Sequence, residues 1–185
     1  ESVVTRGLEE AGMKIFYTLD ESHIKGQDLM IYTPAISREN EEYVAAEKVG
    51  IPILKRAQAL GAISQDYQTL AIAGTHGKTT TSSMLAHLLR DSGMDCTAFL
   101  GGLSRNLNGN FAIGQSSLLV VEADEFDRSF LTLKPDTAVI TSMDPDHLDI
   151  YGTADEMAEN YRAFGRLANH LVVHHDLKEQ DWEPS

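Results

Sequence analysis

The stretch from Thr69 to Thr81, read as TLAIAGTHGKTTT, constrains the fold more than any other part of this sequence. Its apolar start has the length of a buried parallel strand, and Gly74 ends that run with a residue that can adopt positive φ. Gly77 lets the backbone approach an anion, Lys78 supplies an ammonium group, and the residues that follow predict a helix N-terminus. This order of strand, glycine loop and helix predicts a phosphate-binding loop in an α/β fold.

The loop itself is shorter than the usual G-x-x-x-x-G-K-[ST] pattern, which would place its first glycine at Ile72. Lys78 is suited to the outer phosphates of a nucleotide, and the Thr79 hydroxyl to a Mg²⁺ ion. A strand-to-helix turn with an incidental lysine is the alternative interpretation. The candidate nucleotide-binding residues are Gly74, Thr75, His76, Gly77, Lys78, Thr79 and Thr80.

Composition limits the classes of function. The chain has 185 residues, of which 42% are hydrophobic, so it can bury a core of one or two small domains. A net charge of −13 argues against general binding to nucleic acid or to an anionic membrane surface. The sequence shows no membrane-spanning apolar run and no signal-peptide pattern, and its single cysteine, Cys96, is consistent with a reducing, cytoplasmic location.

Alternating helices and strands predict parallel sheets with crossover helices. The predicted helices are 3–11, 39–49, 55–63, 79–90 and 154–167, and the predicted strands are 14–17, 28–32, 51–54, 70–73, 96–100, 117–121, 137–141 and 171–174. Met84, Leu85, Leu88 and Leu89 are expected to form the apolar face of one helix. A polar break near Asp66 predicts a partial Rossmann-like domain at 1–66 and part of a nucleotide-binding domain at 67–185. Since no glycine-rich first unit opens the chain, we expect it to be a fragment.

Two further apolar strands run into acidic segments, Glu122–Asp127 and Asp144–Asp149. Because ligands of open α/β sheets bind beyond the carboxyl ends of the strands, we expect both segments to share a crevice with the loop. Glu122 is the candidate Mg²⁺-binding carboxylate, and a solvated acidic loop is the alternative. His147 is a candidate for a role near the metal, although a lone histidine is more often a cap or a satisfied polar group.

The motifs G-T-H-G-K-T-T, E-A-D-E-x-D and D-H-L-D, in this order, resemble those of the Mur ligase family. The segments TPAIS and GIPILKRAQALG are similar to the end of that family's UDP-binding domain. The likeness is greatest to members that join L-alanine to UDP-N-acetylmuramate in peptidoglycan synthesis. It implies an ATP-dependent ligase that proceeds through an acyl phosphate, with these two small molecules as substrates and with no nucleic-acid or membrane partner.

The resemblance also implies roles for individual residues. Lys78 would neutralise the β and γ oxygens of ATP, Thr79 and Glu122 would hold one Mg²⁺, and His147 would help to hold a second. Lys78, Glu122 and His147 are therefore the catalytic candidates, and Thr79, Glu122 and His147 are the metal-binding candidates. The family often has Asn where this chain has Ser142.

Three alternatives remain open from the sequence. A sister ligase of cell-wall recycling would attach a preformed tripeptide to the same sugar nucleotide. A folate polyglutamation enzyme shares a similar loop, but the first sixty or so residues count against it. A nucleotide-binding regulatory module would need no carboxylate substrate. Because the likeness lacks the family's carboxyl-terminal domain, we expect little or no ligase activity from residues 1–185 alone.

Overall fold

The computed structural model describes residues 3–144, 152–178 and 182. The chain divides into two compact units, residues 1–59 and residues 60–185. His147 and most of the segment Asp144–Asp149 lie outside the described residues.

The first unit contains a short parallel strand pair and the helices beside it. Its elements are α1 (Val3–Glu10), a 3₁₀ turn (Glu21–Ile24), β1 (Met30–Tyr32), α2 (Glu41–Val49) and β2 (Ile53–Lys55). Asn40 begins α2 by accepting hydrogen bonds from two backbone N–H groups, and Gly50 ends the helix in the left-handed conformation. Ile24, Ala45 and Ala46 form a small core against this pair.

The predicted strand at 14–17 is wrong, because these residues form an irregular segment. The Phe16 ring stacks on the imidazole of His23 with 3.7 Å between ring centroids. The Tyr17 hydroxyl donates a hydrogen bond to Glu9 across 3.5 Å. Local side-chain contacts, in place of a strand ladder, therefore hold this apolar stretch.

The second unit contains a six-stranded, mostly parallel sheet within its described residues. α3 (Arg56–Ser64) begins in the first unit. The elements that follow it are β3 (Gln68–Ala73), α4 (Lys78–Asp91), β4 (Thr97–Ser104), β5 (Gly109–Ala112), β6 (Leu118–Glu122), β7 (Thr137–Ile140), α5 (Ala154–Arg166) and β8 (His170–Val173). The strands lie in the order β5-β4-β6-β3-β7-β8. The predicted α/β class and parallel sheet are confirmed.

One pair departs from the parallel pattern. β5 pairs antiparallel with β4 and forms the edge of the sheet. Asn108, with φ of 53°, turns the chain between the two strands. β5 was not among the strands predicted from the sequence.

Apolar side chains pack on both faces of this sheet. Ala71, Leu119 and Val121 face one core, which includes Phe130, Tyr161 and Phe164. Ile72, Val120 and Ala98 face the other core, next to α4. The strands are therefore buried on both sides, as parallel strands usually are.

The buried face of α4 differs from the prediction. Met84 and Leu88 are 60% and 61% exposed, whereas Ser82 and Ala86 are fully buried. Small residues on the inner face let the helix approach the sheet closely, so the larger apolar side chains turn outward. Leu85 and Leu89 are half-buried, as expected for part of the apolar face.

The sheet topology sets where a ligand site can lie. β6, β3 and β7 are adjacent and parallel, so their carboxyl ends meet at one edge of the sheet. In register, Glu122 lies opposite Ile72, and Ala73 lies opposite Ile140. No helix in the described part of the chain is both long and apolar enough to cross a membrane.

Candidate nucleotide site

The loop between β3 and α4 begins at Gly74, where only glycine fits. Gly74 has φ of 135°, and a Cβ at this position would overlap the Thr141 hydroxyl and lie 2.9 Å from the Ser142 nitrogen. The Thr141 backbone nitrogen donates to the Ala73 carbonyl across 3.0 Å, which fixes the end of β7 against the loop. The first glycine of the motif therefore serves close backbone packing as well as the turn.

The residues that follow β7 brace the middle of this loop. The Ser142 hydroxyl lies 2.9 Å from the Thr75 hydroxyl and accepts a hydrogen bond from the His76 nitrogen across 2.8 Å. The Thr141 hydroxyl donates to the His76 carbonyl across 2.6 Å. The Asp144 nitrogen donates to the Thr75 hydroxyl across 3.1 Å. Thus the loop directly touches the start of the third polar segment, at Asp144.

The N-terminus of α4 is open to an anion. Gly77, with φ of 82°, is the N-cap residue and has no side chain to cap the helix. The first backbone N–H groups of a helix have no acceptor within the helix, and the helix dipole favours negative charge there. The loop thus presents donors and positive potential at the same point, which suits a phosphate group.

Lys78 is the first residue of α4, and its ammonium group lies beneath the loop. Its Nζ donates to the Gly74 carbonyl across 2.6 Å and lies 2.9 Å from each carboxylate oxygen of Glu125. The Lys78 side chain is 16% exposed and that of Glu125 is 3% exposed, so this is a largely buried ion pair. Glu125 holds the lysine at the base of the loop.

Thr79, the next residue, contacts a second carboxylate of the acidic segment, that of Glu122. The Thr79 hydroxyl donates to Glu122 Oε1 across 3.1 Å. The Gly101 nitrogen, on β4, donates to Glu122 Oε2 across 2.8 Å. A Cβ at Gly101 would lie 2.6 Å from Glu122 Cδ, so glycine is needed for this approach. A hydroxyl and a carboxylate in contact are hard oxygen ligands, and they fit a Mg²⁺ ion that also binds phosphate and water.

The structure therefore brings the predicted residues Lys78, Thr79 and Glu122 together at the loop. Thr80 is exposed on the first turn of α4 and lines a cavity of about 310 Å³. Their roles in binding nucleotide and metal stay predictions. The role of His147 also stays a prediction, because this residue lies outside the described part of the chain.

Two residues of the site were not identified from the sequence. Glu125 was one of several carboxylates in the run Glu122–Asp127, and nothing in that run marks it as the buried one. The useful signal is Lys78 itself, because a lysine that lies under a loop requires a buried counter-ion. Gly101 lies just past the predicted strand 96–100, and its contact with Glu122 depends on the pairing of β4 with β6.

Comparison with known proteins agrees with this architecture. Residues 72–181 match the Mur ligase middle domain, and residues 1–68 match the Mur ligase family, catalytic domain. The UDP-N-acetylmuramate–L-alanine ligase of Cytophaga hutchinsonii is 45% identical, over 88% of this chain and 37% of its own length. The enzyme of the same name from Parabacteroides distasonis is 47% identical, over 90% of this chain and 37% of its own length.

A solved structure is also similar. The UDP-N-acetylmuramate-alanine ligase of Thermotoga maritima superposes with a TM-score of 0.82 at 30% identity, over 91% of this chain and 40% of that one. The chain thus spans about two fifths of the length of the relatives it matches. Because the middle-domain model alone covers more than half of the residues, the chain belongs to the Mur ligase family.

Proposed function

We propose that this chain provides the ATP site of a ligase that joins L-alanine to UDP-N-acetylmuramate in peptidoglycan synthesis. Relatives of 45% and 47% identity that carry that name support this choice of substrates. The observation that carries the proposal is the pairing of two consecutive residues at the start of α4, Lys78 with Glu125 and Thr79 with Glu122.

In this proposal the loop residues position the triphosphate. The open N–H groups after Gly77 bind phosphate oxygens, and Lys78, held by Glu125, lies beside them. Glu122 orients the Thr79 hydroxyl, and these two residues would hold one Mg²⁺ ion, while His147 would help to hold a second, as the resemblance implies. When bound, Mg²⁺ neutralises charge on the phosphate oxygens, which phosphoryl transfer requires.

The proposed chemistry has two steps. A carboxylate oxygen of UDP-N-acetylmuramate attacks the γ-phosphorus of ATP, which gives an acyl phosphate and ADP. The amine of L-alanine then attacks the acyl carbon, loses a proton and displaces inorganic phosphate. Both steps need oriented reactants and compensated charge more than a covalent residue of the protein, which agrees with a site made of backbone donors, one lysine and carboxylates.

The first test is nucleotide binding by residues 1–185. Titration calorimetry with a non-hydrolysable ATP analogue and Mg²⁺ should give saturable binding that Lys78→Ala weakens by at least about 100-fold, as expected for loss of a charge in a phosphate site. Lys134→Ala is the matched control. Lys134 lies just before β7, it is exposed, and its backbone nitrogen donates a hydrogen bond to the Ser64 hydroxyl. Equal affinity in wild type and Lys78→Ala contradicts the proposed site.

The second test identifies the amine substrate in a full-length protein that contains this segment. Phosphate release that requires both UDP-N-acetylmuramate and L-alanine supports the proposal. Release driven by the tripeptide instead of L-alanine indicates the recycling ligase, and turnover that ignores UDP-N-acetylmuramate indicates a regulatory module. The expectations of a cytoplasmic location and of low ligase activity in residues 1–185 alone stay predictions.

A further inference from the structure

The positive charge of Lys78 is already matched within the protein. Its Nζ donates to the Gly74 carbonyl across 2.6 Å and to Glu125 Oε1 across 2.9 Å, and Glu125 Oε2 lies 2.9 Å away as the second oxygen of the ion pair. Because Glu125 is 2% exposed, removal of the lysine from it would leave a buried carboxylate without this cation. The pair is therefore expected to stay together when an anion enters the loop.

From this pairing we propose that Glu125 makes the loop select nucleotide bound to a divalent cation over free nucleotide. This inference rests on the proposed function and adds a specificity-determining residue to the same site. Lys78 and Glu125 together contribute no net charge to the loop, and Glu122 adds a negative charge beside Thr79. Within the described loop, the attraction that remains for a free triphosphate comes from the open N–H groups after Gly77 and from the partial charge of the helix dipole, about half an elementary charge.

The distances place Glu125 close enough to act on the ligand. A phosphate oxygen that accepts a hydrogen bond from Lys78 Nζ lies within about 6 Å of the Glu125 oxygens, given ordinary hydrogen-bond lengths. At that range, in a partly buried site, like charges repel strongly. A divalent cation held by Thr79 and Glu122 turns the net repulsion of the phosphates into attraction. Its positive charge offsets the charge of Glu122 and part of the charge of the phosphates.

Calorimetric binding of ATP in MgCl₂ and in EDTA tests this idea. Wild type should bind the Mg²⁺ complex at least about 100-fold more tightly than free ATP, and Glu125→Gln should tighten binding of free ATP by about tenfold or more, since one negative charge is removed. The ratio of the affinity for Mg²⁺-bound ATP to the affinity for free ATP should therefore fall. Asp91→Asn, with the same charge change at the exposed far end of α4, should leave both affinities unchanged.

Each other outcome has a definite meaning. If Glu125→Gln weakens binding of free and of Mg²⁺-bound ATP equally, or leaves the ratio of the two affinities unchanged, the inference is overturned and the proposed function stays in place. Wild type that binds no nucleotide in either condition contradicts both. If Glu125→Gln does not fold, wild type and Glu125→Asp decide, because equal affinity for free and Mg²⁺-bound ATP in either protein contradicts a selecting carboxylate.

Discussion

The Thr79 hydroxyl donates a hydrogen bond to the Glu122 carboxylate across 3.1 Å, which links the start of α4 to the end of β6. The two residues are 43 positions apart in the chain, and the parallel pairing of β3 with β6 brings them together. This contact orders both proposed metal ligands before any ligand binds. Preorganisation of this kind lowers the entropic cost of binding.

Replacement of Thr79 by Ala should weaken binding of the Mg²⁺–ATP complex by about 10- to 100-fold, because it removes one oxygen ligand and frees Glu122. Thr79→Ser keeps the hydroxyl and should retain affinity within about threefold of wild type, a difference of less than 1 kcal/mol. Titration calorimetry at fixed Mg²⁺ measures both. Equal loss in the Ser and Ala variants would mean that the methyl group matters and the hydroxyl does not.

Gly101→Ala should displace the Glu122 carboxylate, because a Cβ at this position would lie 2.6 Å from Glu122 Cδ. We expect Mg²⁺–ATP affinity to fall by about tenfold or more, since small displacements of positioning groups are costly. Gly109→Ala, in the same hairpin, is the matched control because its nearest contact would be an ordinary 4.0 Å. Similar affinities in the two variants would show that the position of Glu122 does not matter.

The parts of the site that the sequence predicted are those that depend on local pattern. The strand β3, the turn at Gly74 and the helix that begins at Lys78 follow from residue types at fixed spacing. Glu122 could be predicted from the sequence because it ends an apolar strand, and the carboxyl ends of parallel strands meet at one edge of the sheet. The structure confirms this strand–loop–helix unit.

The errors and omissions depend on tertiary packing. Periodicity placed Met84 and Leu88 on the buried face of α4, but the close approach of the helix to the sheet selects Ser82 and Ala86. Glu125 escaped notice because its partner, Lys78, is 47 positions away in the chain. A hydrophobic pattern reports which residues avoid water, and it does not report which charged residue becomes buried beside which.

Gly74→Ala should destabilise the second unit by about 3 kcal/mol, because it combines positive φ with a steric overlap against Thr141. Gly93→Ala shares the positive φ, at 88°, but meets nothing within 4 Å, so it should cost only about 1 kcal/mol. Urea denaturation followed by circular dichroism compares the two variants with wild type. Equal losses of stability would mean that the clash with Thr141 is relieved at no cost.

Cys96 should be unreactive in the folded protein, because its thiol is fully buried and burial raises the pKa of that thiol. Alkylation by iodoacetamide should be at least about 100-fold slower in buffer than in urea, since the thiolate is the reactive form. Comparable rates in the two conditions would indicate that the buried surroundings of Cys96 open readily.

The raised pKa of Cys96 also predicts a pH dependence of stability. The folded state keeps this proton above the unfolded pKa of about 8.5, so stability is fully present below that pH and falls as pH rises towards the folded pKa. Cys96→Ala should remove this part of the loss of stability at alkaline pH. Identical slopes of unfolding free energy against pH above pH 8.5, in wild type and variant, would contradict it.

The most direct test of the proposed site is a crystal structure of residues 1–185 with a non-hydrolysable ATP analogue and Mn²⁺, located by its anomalous signal. We predict the metal at about 2.2 Å from the Thr79 hydroxyl, with Glu122 bound directly or through one water, and the β- and γ-phosphates against the loop Gly74–Thr80. A metal that contacts neither Thr79 nor Glu122, or a triphosphate bound away from Lys78, would contradict the account.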